Sequence, residues 1–180
     1  NQCSNCDACL EVCPTYVATG DLLFSPKGRL EAAQNVLGKD EITQETITSA
    51  YSCPKCGACE AVCPEKIEVV KIVSELRNRI VEKGKGPLPA HKKVIESLLQ
   101  KGNTVNGEPT KRLEWLPEPI EPHQSSTLLF VGCLPAYLVK DAARYSYLVL
   151  KKLGIDFMII EDEGCCGTYI YESGEVGLAK

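Results

Sequence analysis

The stretch Cys3-Ser4-Asn5-Cys6-Asp7-Ala8-Cys9-Leu10-Glu11-Val12-Cys13-Pro14 returns as Cys53-Pro54-Lys55-Cys56-Gly57-Ala58-Cys59-Glu60-Ala61-Val62-Cys63-Pro64, and nothing else in the chain restricts its fold as strongly. Both copies read C-x2-C-x2-C-x3-C-P, the spacing with which three thiolates wrap one 4Fe-4S cubane while the fourth reaches across to a second. Two ligand sets follow: Cys3, Cys6, Cys9 and Cys63 for one cluster, and Cys53, Cys56, Cys59 and Cys13 for the other. Two intervening residues let the backbone curl round a cube and turn several N–H groups toward an anionic core. Gly57, Ala8 and Ala58 keep bulk away from it, and Pro14 and Pro64 turn the chain after the crossing ligand. Structural zinc is the bland alternative, but it favours closed sites built from separated cysteine pairs, whereas a fourth cysteine followed by proline, twice over, is specific to clusters.

Eleven cysteines in 180 residues would suggest a disulfide framework in a secreted protein. An odd number, with most of them at ligand spacing, points instead to a reducing cytoplasm. The longest mostly apolar stretch, Thr127 to Val139, is broken by Gly132 and Pro135 and falls short of the roughly 20 residues that a membrane span needs. Direct membrane insertion is therefore not expected. The chain opens Asn1-Gln2-Cys3 without a basic segment or apolar core, so no secretory signal is visible, and a start inside a longer chain is expected. A net charge of −4, made more negative by thiolate-bound clusters, disfavours nucleic acid as a partner.

Between and after the motifs the pattern is helical. Leu30, Ala33 and Leu37 predict one buried face before Gly38; Ile47, Ala50 and Tyr51 predict another. Val69, Ile72, Val73, Leu76 and Ile80 continue at helical spacing up to the Gly84-Lys85-Gly86-Pro87 breaker, and Val94, Ile95, Leu98 and Leu99 predict a helix that stops at Gly102. Residues 1–102 thus read as an α-helical two-cluster ferredoxin domain. Residues 103–126, with Pro109, Pro117, Pro119 and Pro122, read as a linker, with Trp115 pinning it to its own domain. His91 and His123 have no ligand spacing around them, and Lys27, Arg29, Lys55 and Lys66 are assigned no site.

Residues 127–180 predict a further module. Leu128-Leu129-Phe130-Val131 and Asp156-Phe157-Met158-Ile159-Ile160 have the length and composition of buried strands, and residues 139–153 between them are periodic as a helix stopped by Gly154. The expected class is α/β, a Rossmann-like βαβ unit with parallel pairing and a right-handed crossover. That would put Cys133 and the Cys165-Cys166 pair of a Gly-rich turn together at the carboxyl ends of neighbouring strands. A further iron-sulfur site or a vicinal redox disulfide could be built there, and fortuitous core thiols are the alternative. No G-x-G-x-x-G and no P-loop occurs, so no flavin or nicotinamide site is expected in this chain.

Two ferredoxin motifs, a linker, then Gly132-Cys133-Leu134-Pro135 and Cys165-Cys166-Gly167 resemble the fused iron-sulfur subunits of the heterodisulfide reductase type. The same arrangement is found in the iron-sulfur subunits of glycolate, lactate and anaerobic glycerol-3-phosphate dehydrogenases and in a related subunit of sulfate-reducer membrane complexes. Cys9 to Tyr16 followed by Ser25-Pro26-Lys27-Gly28-Arg29, and Gly107-Glu108-Pro109 with Arg112-Leu113-Glu114-Trp115-Leu116, carry the likeness along the rest of the chain. The resemblance implies an oxidoreductase component that passes electrons through two 4Fe-4S clusters to or from the Cys-Cys-Gly site, where relatives cleave a disulfide. The alternative it implies is an electron-transfer subunit serving a flavin-dependent 2-hydroxy acid or glycerol-3-phosphate dehydrogenase; a soluble carrier whose second domain only docks partners is a third. It also implies other redox subunits as partners, a flavoprotein or a membrane cytochrome-type subunit, and so a cytoplasmic protein that reaches the membrane through a partner. In the family the Cys-Cys-Gly module runs on to a C-x2-C or similar pair. This sequence stops at Lys180, so Cys133, Cys165 and Cys166 carry over as an incomplete ligand set for a third centre, cubane or noncubane.

Overall fold

A computed structural model describes residues 2–119 and 123–179, so Asn1, Pro122 of the expected linker and Lys180 lie outside the described residues. The structure is mostly helical and divides into two compact units, residues 1–88 with 170–180 and residues 89–169. In the first unit the N-terminal motif runs into α1 (Ala8–Glu11) and α2 (Pro14–Thr19). Two longer helices follow, α3 (Pro26–Lys39) and α4 (Gln44–Tyr51), before the second motif enters α5 (Ala58–Ala61) and then α6 (Val69–Glu82).

Helix α3 starts where the sequence provides a cap: Ser25 accepts from the Gly28 N–H at 3.0 Å, and Pro26 occupies the first turn, where its missing donor costs nothing. It runs through Gly38 and ends at Asp40 in the left-handed region. Ala32 and Val36 of α3, Ala50 of α4 and Leu76 and Ile80 of α6 form the core with Ile42, and Ile47 and Tyr51 pack against it. The face expected from Leu30, Ala33 and Leu37 is displaced by one position. Leu37 is 87% exposed, while Arg29, Ala32 and Val36 point inward, because a buried guanidinium shares the face and apolar periodicity does not register it. Helix α6 agrees with its pattern, again with an arginine, Arg77, among its buried residues.

Gly28 lies where α3 passes the Leu22–Phe24 turn, and a Cβ there would stand 2.1 Å from the Leu22 carbonyl oxygen. Gly28→Ala is therefore expected to lower stability by about 1–3 kcal/mol or more, as overpacking against backbone does. A urea midpoint equal to that of the wild type would show that the turn can move aside.

In the second unit, α7 (Pro89–Lys101) is followed by a loop built on Asn103, which is fully buried. Its side chain accepts from the N–H groups of Val105 and Gly107 and donates to the carbonyls of Lys101 and Gly107. The only helix in the described part of residues 103–126 is a 3-10 turn at Pro109–Lys111, yet Trp115, 1% exposed, is a core residue with Ala136, Ala143, Tyr147 and Phe157. The helices α8 (Cys133–Tyr137) and α9 (Lys140–Lys152) supply Ala136, Ala143 and Tyr147, Phe157 comes from the extended segment after α9, and α10 (Thr168–Glu172) follows.

The Rossmann-like βαβ expectation needs correction. No strand forms among the described residues; the two segments meet at a single parallel bridge, Leu128 with Met158. The Leu129 N–H donates to the Met158 carbonyl and the Met158 N–H to the Thr127 carbonyl, both at 2.9 Å. Parallel pairs are stable when both faces are covered and other strands adjoin them. Here Leu128, Phe130 and Ile160 are 38–49% exposed, and pairing stops after one bridge. Cys133 accordingly opens a short helix rather than ending a strand.

Candidate metal centre

Each cysteine motif folds the same way. Asn5 and Asp7 take positive φ of 56° and 63°, and the equivalent Lys55 and Gly57 take 55° and 75°. Left-handed backbone costs a non-glycine residue roughly 1–2 kcal/mol, so three such residues at matching positions are strain held for a purpose. Left-handed residues at alternate positions belong to the kind of turn whose concavity suits an anion.

The concavities are two recesses. Cys3, Cys6, Cys9 and Cys63 line one, together with Asp7, Lys27 and Glu65; Cys13, Cys53, Cys56 and Cys59 line the other, together with Arg29 and Lys55. Cys59 also borders the first. Among the described residues no three Cys, His, Asp or Glu side chains converge closely enough to hold a single ion. The donor set fits a larger anionic group with one sulfur at each of several corners. Burial pushes the Cys59 thiol up to about 11, with the neighbouring Cys53, Glu60, Cys13 and Cys56 adding to the effect, and burial raises Cys9 as well. Cys13 goes the other way. Burial opposes its ionisation, but hydrogen bonds from the Thr15 hydroxyl, the Tyr16 and Thr15 N–H groups and Arg29 outweigh it and hold the thiol below its usual value.

Arg29 is 1% exposed and has no carboxylate partner among the described residues. Its Nη1 lies 3.6 Å from Cys13 Sγ, Nη2 donates to the Thr15 and Ser52 hydroxyls, and Nε to the Ser49 carbonyl. Arg77, from α6, donates to the carbonyls of Cys53, Ala50 and Glu172, with its guanidinium over the Tyr51 ring. A buried cation is costly unless countercharge is near, and the Cys13 sulfur, 3.6 Å away, is the group that would supply it once ionised.

In the second unit Cys133 is buried, Cys165 half-buried and Cys166 exposed. Burial raises the Cys165 thiol, and Cys133, within hydrogen-bond reach, adds to this; the Thr168 hydroxyl and N–H lower Cys166. The structure thus brings Cys133 and Cys165 together, with Cys166 turned outward. The turn is tied down by Glu163, whose carboxylate accepts from the Val131 N–H at 2.8 Å and the Gly132 N–H at 2.7 Å and pairs with Arg112. This carboxylate holds the residue before Cys133 and the loop before Cys165 at one point. Arg29, Arg77, Arg112 and Glu163 are the residues that pattern reading misses. A charge beside a cysteine motif is the available signal for Glu163, and no signal marks Arg77.

A helical unit whose two cysteine motifs frame two thiol-lined recesses, followed by a cysteine-rich module, is similar in arrangement to dicluster iron-sulfur proteins. Residues 1–67 match the 4Fe-4S dicluster domain family and residues 127–180 the cysteine-rich domain family, so the chain carries both in that order. It is similar to one component of the dihydromethanophenazine:CoB–CoM heterodisulfide reductase of Methanosarcina acetivorans, 29% identical over 98% of this chain and 47% of that protein. It is similar to the glycolate oxidase iron-sulfur subunit of Escherichia coli, 29% identical over 99% of this chain and 49% of that protein. One component of the fumarate reductase (CoM/CoB) of Methanothermobacter marburgensis is 24% identical over 99% of this chain and 37% of its own length. The chain therefore spans about half the length, or less, of the curated relatives it matches. No solved structure matches it. Among the described residues no helix is long and apolar enough to cross a membrane.

Proposed function

We propose that this chain is the iron-sulfur electron-transfer part of a multi-subunit oxidoreductase, with Cys3, Cys6, Cys9 and Cys63 holding one 4Fe-4S cluster and Cys13, Cys53, Cys56 and Cys59 the other. The observation that carries the reading is that each recess gathers thiols from both motifs, five around the first, where Cys59 joins Cys3, Cys6, Cys9 and Cys63, and four around the second. When bound, such clusters accept and release single electrons. The residues of the chain provide the rest: a buried cation beside Cys13 and a low-dielectric shell that favour a compact anionic guest. Cys133, Cys165 and Cys166 form the second redox site, where the exposed, ionisation-prone Cys166 would meet a disulfide substrate and the Cys133–Cys165 pair lies behind it.

Of the two substrate classes, a heterodisulfide of thiol coenzymes is favoured, since a site of neighbouring thiols suits sulfur exchange. A 2-hydroxy acid oxidised by a separate flavoprotein is the second reading, supported by the equal identity to the Escherichia coli protein. The partners are then further redox subunits, a flavoprotein or a membrane-bound cytochrome, and the protein is cytoplasmic or held at the membrane by such a partner.

The test is anaerobic reconstitution with iron and sulfide analysis. Cys63→Ala is expected to remove about half of the iron and leave one cluster signal in low-temperature EPR, because it strips a ligand from one quartet only. Loss of both clusters in equal measure, or zinc in place of iron in the wild type, would defeat the assignment. Failure of the full-length protein, with its clusters intact, to turn over a mixed coenzyme disulfide would shift the choice to the hydroxy-acid reading.

A further inference from the structure

The two recesses differ in charge, and in how deeply the charge is buried. The recess of Cys3, Cys6, Cys9 and Cys63 has two carboxylates, Asp7 and Glu65, against one ammonium, Lys27, which is already paired with Asp7 at 2.5 Å. Asp7 is 57% exposed and Lys27 29%, so water screens both. The recess of Cys13, Cys53, Cys56 and Cys59 has two cations, Arg29 and Lys55, and no carboxylate among its lining residues. Lys55 is paired with Glu172, and Glu60, next to Cys59, accepts from the Val70 N–H. Arg29 is different in kind. It is all but fully buried, lies 3.6 Å from Cys13 Sγ and is neutralised by no carboxylate among the described residues, so its field reaches the recess with little screening.

Reducing a cluster adds a negative charge, which a near and buried cation stabilises, raising the potential. We infer that Arg29, seconded by Lys55, holds the cluster of Cys13, Cys53, Cys56 and Cys59 at a higher reduction potential than its neighbour, which gives an electron a downhill direction from the N-terminal quartet to the other. The step oxidises one cluster by one electron and reduces the other by one; no bond forms or breaks and no proton moves. Arg29 acts here as a positioning residue for charge, without ligating. The inference rests on the cluster assignment proposed above.

The experiment is a potentiometric titration of the reconstituted full chain, followed by EPR, with iron counted in every sample. Wild type is expected to show two one-electron steps, and Cys63→Ala to retain only the upper one. Arg29→Gln is expected to lower the upper step alone, changing the reduced-to-oxidised ratio at a fixed potential by about tenfold, which is 59 mV for one electron. Arg29→Lys is expected to restore most of that shift, and Lys27→Gln to move only the lower step. An upper step unchanged in Arg29→Gln, or both steps lowered equally, overturns the inference while the clusters remain counted. Should Arg29→Gln lose its iron, Lys55→Gln decides in its place: an unmoved upper step in that variant overturns the inference. Wild type without two clusters overturns the underlying assignment and the inference with it.

Discussion

Glu163→Ala is expected to cost the second unit about 3–5 kcal/mol, the usual penalty for leaving one member of a buried ion pair without its partner. Arg112 and Glu163 have side chains only 8% and 3% exposed, so the guanidinium left behind has no water to turn to. The same substitution strips the acceptor from the Val131 and Gly132 N–H groups. Urea unfolding followed by circular dichroism measures the loss. Alkylation of Cys133, now buried in α8, is expected to speed up in parallel, because the segment that delivers it is no longer held. Arg112→Met combined with Glu163→Leu is expected to recover the part of the loss due to the orphan charge and not the part due to the Val131 and Gly132 N–H groups, which stay without their acceptor. A loss below about 1 kcal/mol for Glu163→Ala would mean that the carboxylate is replaceable by solvent, and that it does not hold the turn.

Trp115→Ala is expected to be of similar size, about 3–5 kcal/mol, through the cavity left by a large aromatic ring. The indole meets Tyr147 edge-on at 6.2 Å between centroids, and Tyr147 meets Phe157 in the same way at 5.6 Å. A chain of three rings thus joins the segment before the cysteine-rich module to α9 and to the second of its extended segments. Trp115→Phe is expected to lose less than half as much. Thermal melts by far-UV circular dichroism give the comparison; a melting temperature within a degree or two of wild type for Trp115→Ala would place the ring outside the cooperative core.

What is legible in the sequence is what repeats or alternates. The two motifs announce themselves because a ligand set tolerates little variation in spacing, and the helices 69–82, 89–101 and 140–152 because an apolar stripe must recur with each turn. Leu37 is misplaced by its pattern because Arg29, not an apolar residue, shares the inward face, and hydrophobic periodicity assigns an arginine to the surface. Arg77 and Glu163 are silent for the same reason: a buried charge is justified by partners distant in sequence, which no local pattern encodes. Residues 128–131 and 156–160 have strand composition, but composition reports how a segment would pack on a covered sheet, and here two segments meet at one bridge with their faces partly open. The thiol-lined recesses needed the fold itself: Asn5 and Asp7 are residue types that tolerate left-handed backbone, but the equivalent turn at Lys55 has no such local preference behind it.

The return of the chain after α10 has a consequence for the order of assembly. Tyr51, its hydroxyl pushed up to about 12 by burial and thus a firm donor, bonds the Ser173 carbonyl at 2.8 Å; Arg77 bonds the Glu172 carbonyl at 2.9 Å; Gly174 lies so close to the Arg77 carbonyl that a Cβ would stand 2.5 Å away. These residues sit beside the second cysteine motif, yet they leave the ribosome only after residues 89–169 have done so. The N-terminal unit therefore gains these last contacts, among them the Arg77 bridge between the Cys53 and Glu172 carbonyls, only once the whole intervening module has been synthesised, whereas the residues that line the recess beside Cys53 are all in place long before.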